Sequence, residues 1–509
     1  MNSISNYAVL SNGQPISITD IPIIDDAMFR MSILEDVKSG MRVSSLFACG
    51  TSEAERTTLY AILSDDEHKH LRVYQTVVKG KEFPSMTTEC LQVHLFEREI
   101  AEQFGLVPVG HPWFKPVRYH HSWTSLDAWE RSKSTPIVPG SGDFFQIGGD
   151  QIHEVAVGPI HASIIEPGHF RFQCQGEEVL HLEIALGYQH RGIEKAMLLG
   201  PDKRSLHYME TLAGDTTIGH TLSYCQALEA LSNTREAERG MALRGIALEL
   251  ERIANHVGDL GALANDVGFL PTASFCGRIR GDWLNLTALL CGNRFGRNLV
   301  VAGGTAFDLS HEQVISIKDK IKKLEKETAD AITLLWGNQS ILSRFEETGI
   351  VSRQTALDLG LVGPVGRASG LTLDARSNMP SGVYKSASIP VSTHESGDVF
   401  ARAYVRWLEI QQSIDFIKAQ IDSLPQGPIR HPIGTLMPDS FVVTVNEGWR
   451  GEICHVAITN SGGQFSRYKI VDPSFHNWMG LALSLRNQGI SDFPICNKSF
   501  NLSYCGHDL

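Results

Sequence analysis

A chain of 509 residues, 42% apolar and 20% charged, has the composition of a soluble globular protein of about two domains and excludes long disorder. Its net charge of -12 excludes a general nucleic-acid binder, which needs Lys and Arg to neutralise phosphates. The polar N-terminus has no signal-peptide pattern, and the lack of any apolar run of about 18 residues excludes an ordinary spanning helix, so membrane contact is expected to go through partners.

Alternation in Arg42–Ala48 and Leu71–Val78, with Thr57–Leu63 between, predicts strands of a half-covered sheet in a small α/β domain. Leu95–Phe104 has helical spacing and stops at Gly105, a C-cap residue. Glu97, Arg98 and Glu99 on that helix also fit a solvated charged face. The Ser/Pro/Gly stretch 132–150 is the best linker.

Gly158 to Glu229 packs polar residues between apolar ones more densely than a plain core needs. Phe170–Cys174 and Val179–Ile184 alternate around Gln175–Glu178 and predict a hairpin, with His161 and His169 in the loop at its end. Long helices follow, starting near Ser205, His220, Arg235, Asp282, Glu312 and Asp398. On one of them Glu249, Arg252 and His256 share a stripe, which fits an internal charged network or, as the favoured expectation, solvated ion pairs. Lys318–Lys326 reads as a wet surface. Val442–Val445 and Cys454–Thr459 form a second predicted hairpin around Glu447-Gly448-Trp449-Arg450-Gly451-Glu452, and a helix is expected over Phe475–Asn487. Nine scattered cysteines with no Cys-x-x-Cys pair suggest reduced, buried thiols in a cytoplasmic setting.

The Glu-Arg-Glu helix with Gly110-His111-Pro112 resembles the 30 kDa subunit of complex I. Residues 158–194, 249–256, 360–370, 397–402 and 448–452 resemble the large subunit of membrane-bound, formate-hydrogenlyase-type nickel-iron hydrogenases and the related 49 kDa subunit of complex I. The implied fold class is α+β: a small N-terminal α/β docking domain (1–131), a linker (132–150) and a mainly helical large-subunit domain with peripheral β-hairpins (151–509).

The resemblance implies a subunit of a complex that couples electron transport to proton or ion translocation. It would lie peripherally on the cytoplasmic side of the membrane, beside a small iron–sulfur subunit with a 4Fe-4S cluster and membrane ion-translocating subunits. In such hydrogenases two Cys-x-x-Cys pairs hold nickel and iron, because soft thiolates suit these metals. Counted from His220, the first pair falls on Ala213 and Thr216 and the second on Ser503 and Gly506, so a nickel-iron centre is not expected. Cys505 and Cys496 leave a shifted site open, though short of four thiolates.

In complex I a His and a Tyr serve quinone. Here His169 matches the His, while Gly214, with Asp215 beside it, stands at the Tyr position, so quinone binding stays open. The segment holding Arg191 and Glu194 resembles a proton-carrying motif, with a simple Arg191–Glu194 pair as the alternative. The catalytic candidates are His169, Arg191, Glu194, Asp215 and His220. Glu194, Asp215, His169 and His220 are expected to form a buried titrating cluster with raised carboxyl pKa values. The alternatives for the chain are a quinone-binding subunit of the NADH:quinone oxidoreductase type and a non-catalytic scaffold.

Overall fold

The computed structural model describes residues 6–50, 56–124, 127–138, 143–162 and 165–509. Residues 139–142 of the linker candidate lie outside this set. At the N-terminal end, Arg42–Cys49, Arg56–Asp65 and His70–Lys79 pair antiparallel, and Ala8–Leu10 and Ile23–Ile24 complete a five-stranded sheet. Asp25 caps the helix Asp26–Lys38 by accepting the Met28 N–H at 2.9 Å. The helix His94–Phe104 ends on Gly105 in the left-handed region (φ 69°), where the absence of a Cβ removes the steric penalty.

The sheet is not half-covered. Arg42–Ala48 is buried along its length, because the C-terminal sheet shares this core: Phe441, Val443, Val445 and Val456 join Phe47 and Tyr60 in one apolar cluster. The solvated alternative for the 97–99 face is also overturned, since Glu97, Arg98 and Glu99 are all at most 5% exposed. Glu97 accepts from Ser85, Thr87 and the Met86 amide.

Both predicted hairpins form. His169–Gln175 pairs with Glu178–Ala185 around Gly176, and Ile152–Val157 and Gln488–Gly489 extend the sheet. Ser440–Gly448, Gly451–Thr459 and Phe465–Val471 form a meander, with Ile16–Ser17 from the N-terminal segment added at the edge. The Ser440–Thr459 hairpin is buried along its whole length, and the mixture of helices with small antiparallel sheets is the expected α+β class.

The helices Thr217–Leu231, Glu238–Asp266, Leu270–Cys291, His311–Trp336 and Val399–Asp422 build the largest apolar core. Ser310 and Gln313 form a capping box, and Asp398 caps through the Ala401 amide at 2.8 Å. Lys318, Asp319, Lys320, Lys322, Lys323 and Lys326 are exposed, as the charge pattern predicts. Among the described residues no helix is long and apolar enough to cross a membrane.

Solvated ion pairs, the favoured expectation for the 249/252/256 stripe, are not what forms. All three residues are fully buried. Glu249 accepts from Arg252 (3.0 Å), Arg376 (3.1 Å), Tyr384 (2.6 Å) and Ser413 (2.5 Å). His256 bonds Glu409 at 2.9 Å, and Arg367 bridges Glu409 (2.7 Å) and Glu447 (2.7 Å). Burial alone raises the Glu249 carboxyl, but Arg252 and Arg376 bring it down to about 2. Removing one member of such a set leaves an uncompensated buried charge. Arg367→Met should therefore cost about 3–5 kcal/mol in denaturant unfolding; a loss within about 0.5 kcal/mol, as for an ordinary surface change, would contradict the bridging role.

Candidate functional site

Gly448 pairs with Gly451, so Trp449 and Arg450 form a two-residue hairpin tip. This tip is buried: Trp449 is 1% and Arg450 5% exposed. Burial requires close backbone approach, since a Cβ on Gly363 (φ 68°) would lie 2.1 Å from the Arg450 carbonyl oxygen. Arg252 fastens the strand end by donating to the Glu447 and Gly448 carbonyls at 2.7 and 3.0 Å.

The tip meets residues 213–216 and 501–506. Trp449 Nε1 donates to the Asp215 carbonyl at 2.9 Å. The Arg450 guanidinium grips the Asp215 carboxylate with two bonds of 2.5 and 2.8 Å, touches Thr216 Oγ1 at 3.3 Å and donates from Nε to the Asn501 carbonyl at 2.6 Å. Arg450 thus joins the two stretches named from sequence. The loop before His169 meets the same place: Glu166 accepts the Tyr504 N–H at 3.3 Å, and a Cβ on Gly168 would lie 2.5 Å from the Tyr504 ring.

The side chains at the four positions do not supply a thiolate set. Ala213 has no donor atom, the Thr216 hydroxyl faces Arg450, and Ser503 Oγ accepts the Gly506 N–H at 2.9 Å. A Cβ at Gly506 would lie 2.6 Å from the Asp472 carboxyl carbon, so even the first atom of a cysteine side chain would be crowded there. Cys505 sits between Ser503, Glu166 and the Gly214 amide; burial first, then Glu166, pushes its thiol up to about 12, which keeps it neutral. Cys496 packs against Gly349 and Arg402, and burial likewise pushes it up to about 12. These four positions and the two neutral thiols do not supply four thiolates.

Among the described residues, no hydrogen bond or ion pair joins any two of His169, Glu194, Asp215 and His220, so the expected single cluster is not formed. His169 opens its strand, with Nδ1 at 3.2 Å from the Gly158 carbonyl and Nε2 accepting from Arg171 at 3.2 Å. Arg191 does not pair with Glu194. It donates to the Thr211 and Leu212 carbonyls at 3.0 and 2.8 Å, bracing the segment before Ala213.

Glu194 belongs to a buried ladder that runs Arg118, Glu99, Lys469, Glu194, Arg467. Arg118 reaches Glu99 at 2.6 Å, Lys469 binds both Glu99 and Glu194, and Arg467 reaches Glu194 at 3.0 Å. This ladder ties the 94–104 helix to the C-terminal sheet.

The raised carboxyl values expected at Glu194 and Asp215 are reversed for the same reason. Burial raises each group, but Lys469 and Arg467 hold Glu194 well below the usual carboxylate range, and Arg450 lowers Asp215. His220 does sit in a polar chain, between Asp472 at 2.9 Å and His455 at 3.1 Å, with Tyr468 on the far side of His455 at 2.9 Å. Burial and then His220 hold His455 far below the usual imidazole range, so its ring is neutral.

Sequence reasoning assigned no role to Arg450, Asp472, His455 or Glu251. Glu251 is buried where the Thr217–Leu231 helix begins, accepting the Ile218 and Gly219 amides at 2.7 and 3.2 Å, with no ion-pair partner among the described residues. Burial first, with a contribution from Asp215, pushes it up to about 8. The signal was present in Glu249-Leu250-Glu251-Arg252, where helical spacing puts Glu251 on a face separate from the 249/252/256 stripe.

Comparison with known proteins matches residues 26–130 to the 30 kDa subunit of respiratory-chain NADH dehydrogenase and residues 266–439 to its 49 kDa subunit. The chain is 27% identical to formate hydrogenlyase subunit 5 of Escherichia coli K12, over 83% of this chain and 76% of that protein. It is 31% identical to the carbon monoxide-induced hydrogenase of Rhodospirillum rubrum, over 69% of this chain and 97% of that protein. It is 29% identical to the fused C/D component of NADH-quinone oxidoreductase from Bacteroides thetaiotaomicron, over 73% of this chain and 74% of that protein. The chain therefore belongs to the family of hydrogenase and NADH-quinone oxidoreductase subunits, with 30 kDa-type and 49 kDa-type parts fused, and is a complex I-like, membrane-associated oxidoreductase subunit.

Proposed function

We propose that this subunit works without a nickel-iron centre and uses the junction of residues 166–169, 213–216 and 501–506 to handle protons beside a small redox ligand. The observation that carries this is Arg450, whose guanidinium joins Asp215 and Thr216, within the first expected thiolate stretch, to Asn501, two residues before the second. The guanidinium and its carboxylate occupy the junction as a closed ion pair, which supplies no soft donor for a metal. In this proposal the N-terminal part to residue 131 docks, 132–150 links, and 151–509 carries the site.

The partners proposed from the complexes that the relatives' names identify are a small iron–sulfur subunit with a 4Fe-4S cluster and membrane ion-translocating subunits. The subunit would then lie peripherally, on the cytoplasmic side. His169, Arg191, Glu194, Asp215 and His220 keep distinct proposed roles. Asp215 holds the charge at the site and His220 relays through Asp472 and His455. Glu194 and Arg191 position the surrounding chain, and His169 fixes the start of its strand through the Gly158 carbonyl and Arg171.

Glu251 supplies what the ionised carboxylates do not. With a value pushed up to about 8, it keeps its proton at neutral pH near an ionised Asp215, and carboxyls held apart in this way suit acid and base tasks. A quinone is the favoured small ligand. A cavity of about 610 Å³ adjoins Asn501 and Tyr504, with Phe170, Phe172 and Phe493 on its wall, and an apolar ring system fits such a lining.

The folded-state value of Glu251 lies above the ordinary glutamate value of 4.5, so the unfolded chain loses this proton first. Stability from this group is intact below 4.5, falls as pH rises toward about 8, and levels off above that. Glu251→Gln should remove this fall, so its stability relative to the parent rises across that window; parallel unfolding curves for the two proteins would contradict the assignment.

For function, membranes carrying the intact complex should be assayed in parallel for hydrogen, NADH and quinone turnover. Asp215→Asn should assemble yet lose about a hundredfold or more of quinone-linked turnover, at the lower end of acid–base effects. Unchanged turnover in an assembled complex would leave only a scaffold role, and robust hydrogen turnover would overturn the metal-free proposal.

A further inference from the structure

A second cavity, of about 270 Å³, lies where the 94–104 helix, the hairpin strand Glu178–Ala185 and the helix Pro473–Ser484 meet. It shares no lining residue with the junction described above. Its walls are apolar and aromatic, including Leu95, Ile184, Trp113 and Trp478.

One charged side chain on this wall is buried and has no ion-pair partner among the described residues. Arg98 is 5% exposed, its Nε and Nη2 donate to the Lys115 and Pro116 carbonyls at 2.7 and 2.8 Å, and its guanidinium lies over the Trp113 ring at 4.4 Å. Nη1 makes no hydrogen bond to a described residue. The other charges on the wall cancel, because Lys115 pairs with Glu183, whose second oxygen accepts the Phe145 amide at 2.9 Å. His94, stacked on Trp113, is pushed down to about 3 by burial and then by Arg98, and so is neutral. The Trp478 indole N–H has no acceptor among the described residues. The cavity wall therefore carries one net positive charge, on Arg98.

We propose that this cavity binds a small planar aromatic carboxylate, its ring against the Trp113 and Trp478 walls and its anionic oxygens on Arg98. A buried cation without a partner is costly, and an anion that accepts from Nη1 offsets that cost with a charge-assisted bond. The aromatic shelf and apolar wall take the ring, where offset or edge-on contact is favourable. This site is independent of the proton-handling proposal, and either can fail without the other.

The test is calorimetric titration of the full chain with 2-naphthoate and with its neutral counterpart 2-naphthamide. The carboxylate should bind about tenfold or more tightly than the amide, as one charge-assisted contact implies. Arg98→Met should erase that preference. Should Arg98→Met not fold, Ala482→Phe fills the cavity with Arg98 intact and should abolish binding of both probes, with unchanged circular dichroism as the folding control. Equal binding of the two probes, no binding of 2-naphthoate, or 2-naphthoate binding that survives Ala482→Phe in a folded protein would each overturn the proposal.

Discussion

The bidentate contact between Arg450 and Asp215 is the interaction on which the site depends. A hairpin tip that carries an arginine into the interior is unfavourable unless its charge is met, and the carboxylate of Asp215 and the carbonyl of Asn501 meet it. The surrounding chain is arranged to allow that approach. Gly363 and Gly451 give the backbones room, Arg252 holds the strand end, and Trp449 closes the contact through the Asp215 carbonyl. Three segments far apart in sequence thereby meet at one guanidinium.

Buried charge also joins the two ends of the chain. The Arg118–Glu99–Lys469–Glu194–Arg467 ladder crosses from the 94–104 helix to the C-terminal sheet, beside the shared apolar cluster. Such a ladder adds little net stability over apolar packing, but each member is costly to remove alone. Its geometry allows few alternative registers, so it fixes how the N-terminal part sits on the sheet. Glu194 lies within this ladder and keeps its charge there, whereas the titrating carboxyl near the site is Glu251.

Local pattern made much of the fold legible. The helix ending at Gly105, the hairpin around Gly176 and the wet face of Lys318–Lys326 follow from period and turn chemistry, which depend only on neighbouring residues. Burial of the charged stripe could not be read the same way. The partners of Glu249 and His256 include Arg376 and Glu409, 127 and 153 residues away. The carboxyl pKa directions ran opposite to expectation on the same ground, because Asp215 is governed by an arginine 235 residues distant. The region of the site was legible from its density of His, Glu and Gly; its chemistry needed the long-range pairing.

In this account a cation and its carboxylate, in place of thiolates, organise the junction. Metal content of the purified intact complex tests that most directly, by elemental analysis combined with anomalous scattering at the nickel edge. Nickel far below one atom per chain, with no anomalous peak between residues 213–216 and 503–506, is the predicted result. One nickel per chain with a peak at that place would contradict it.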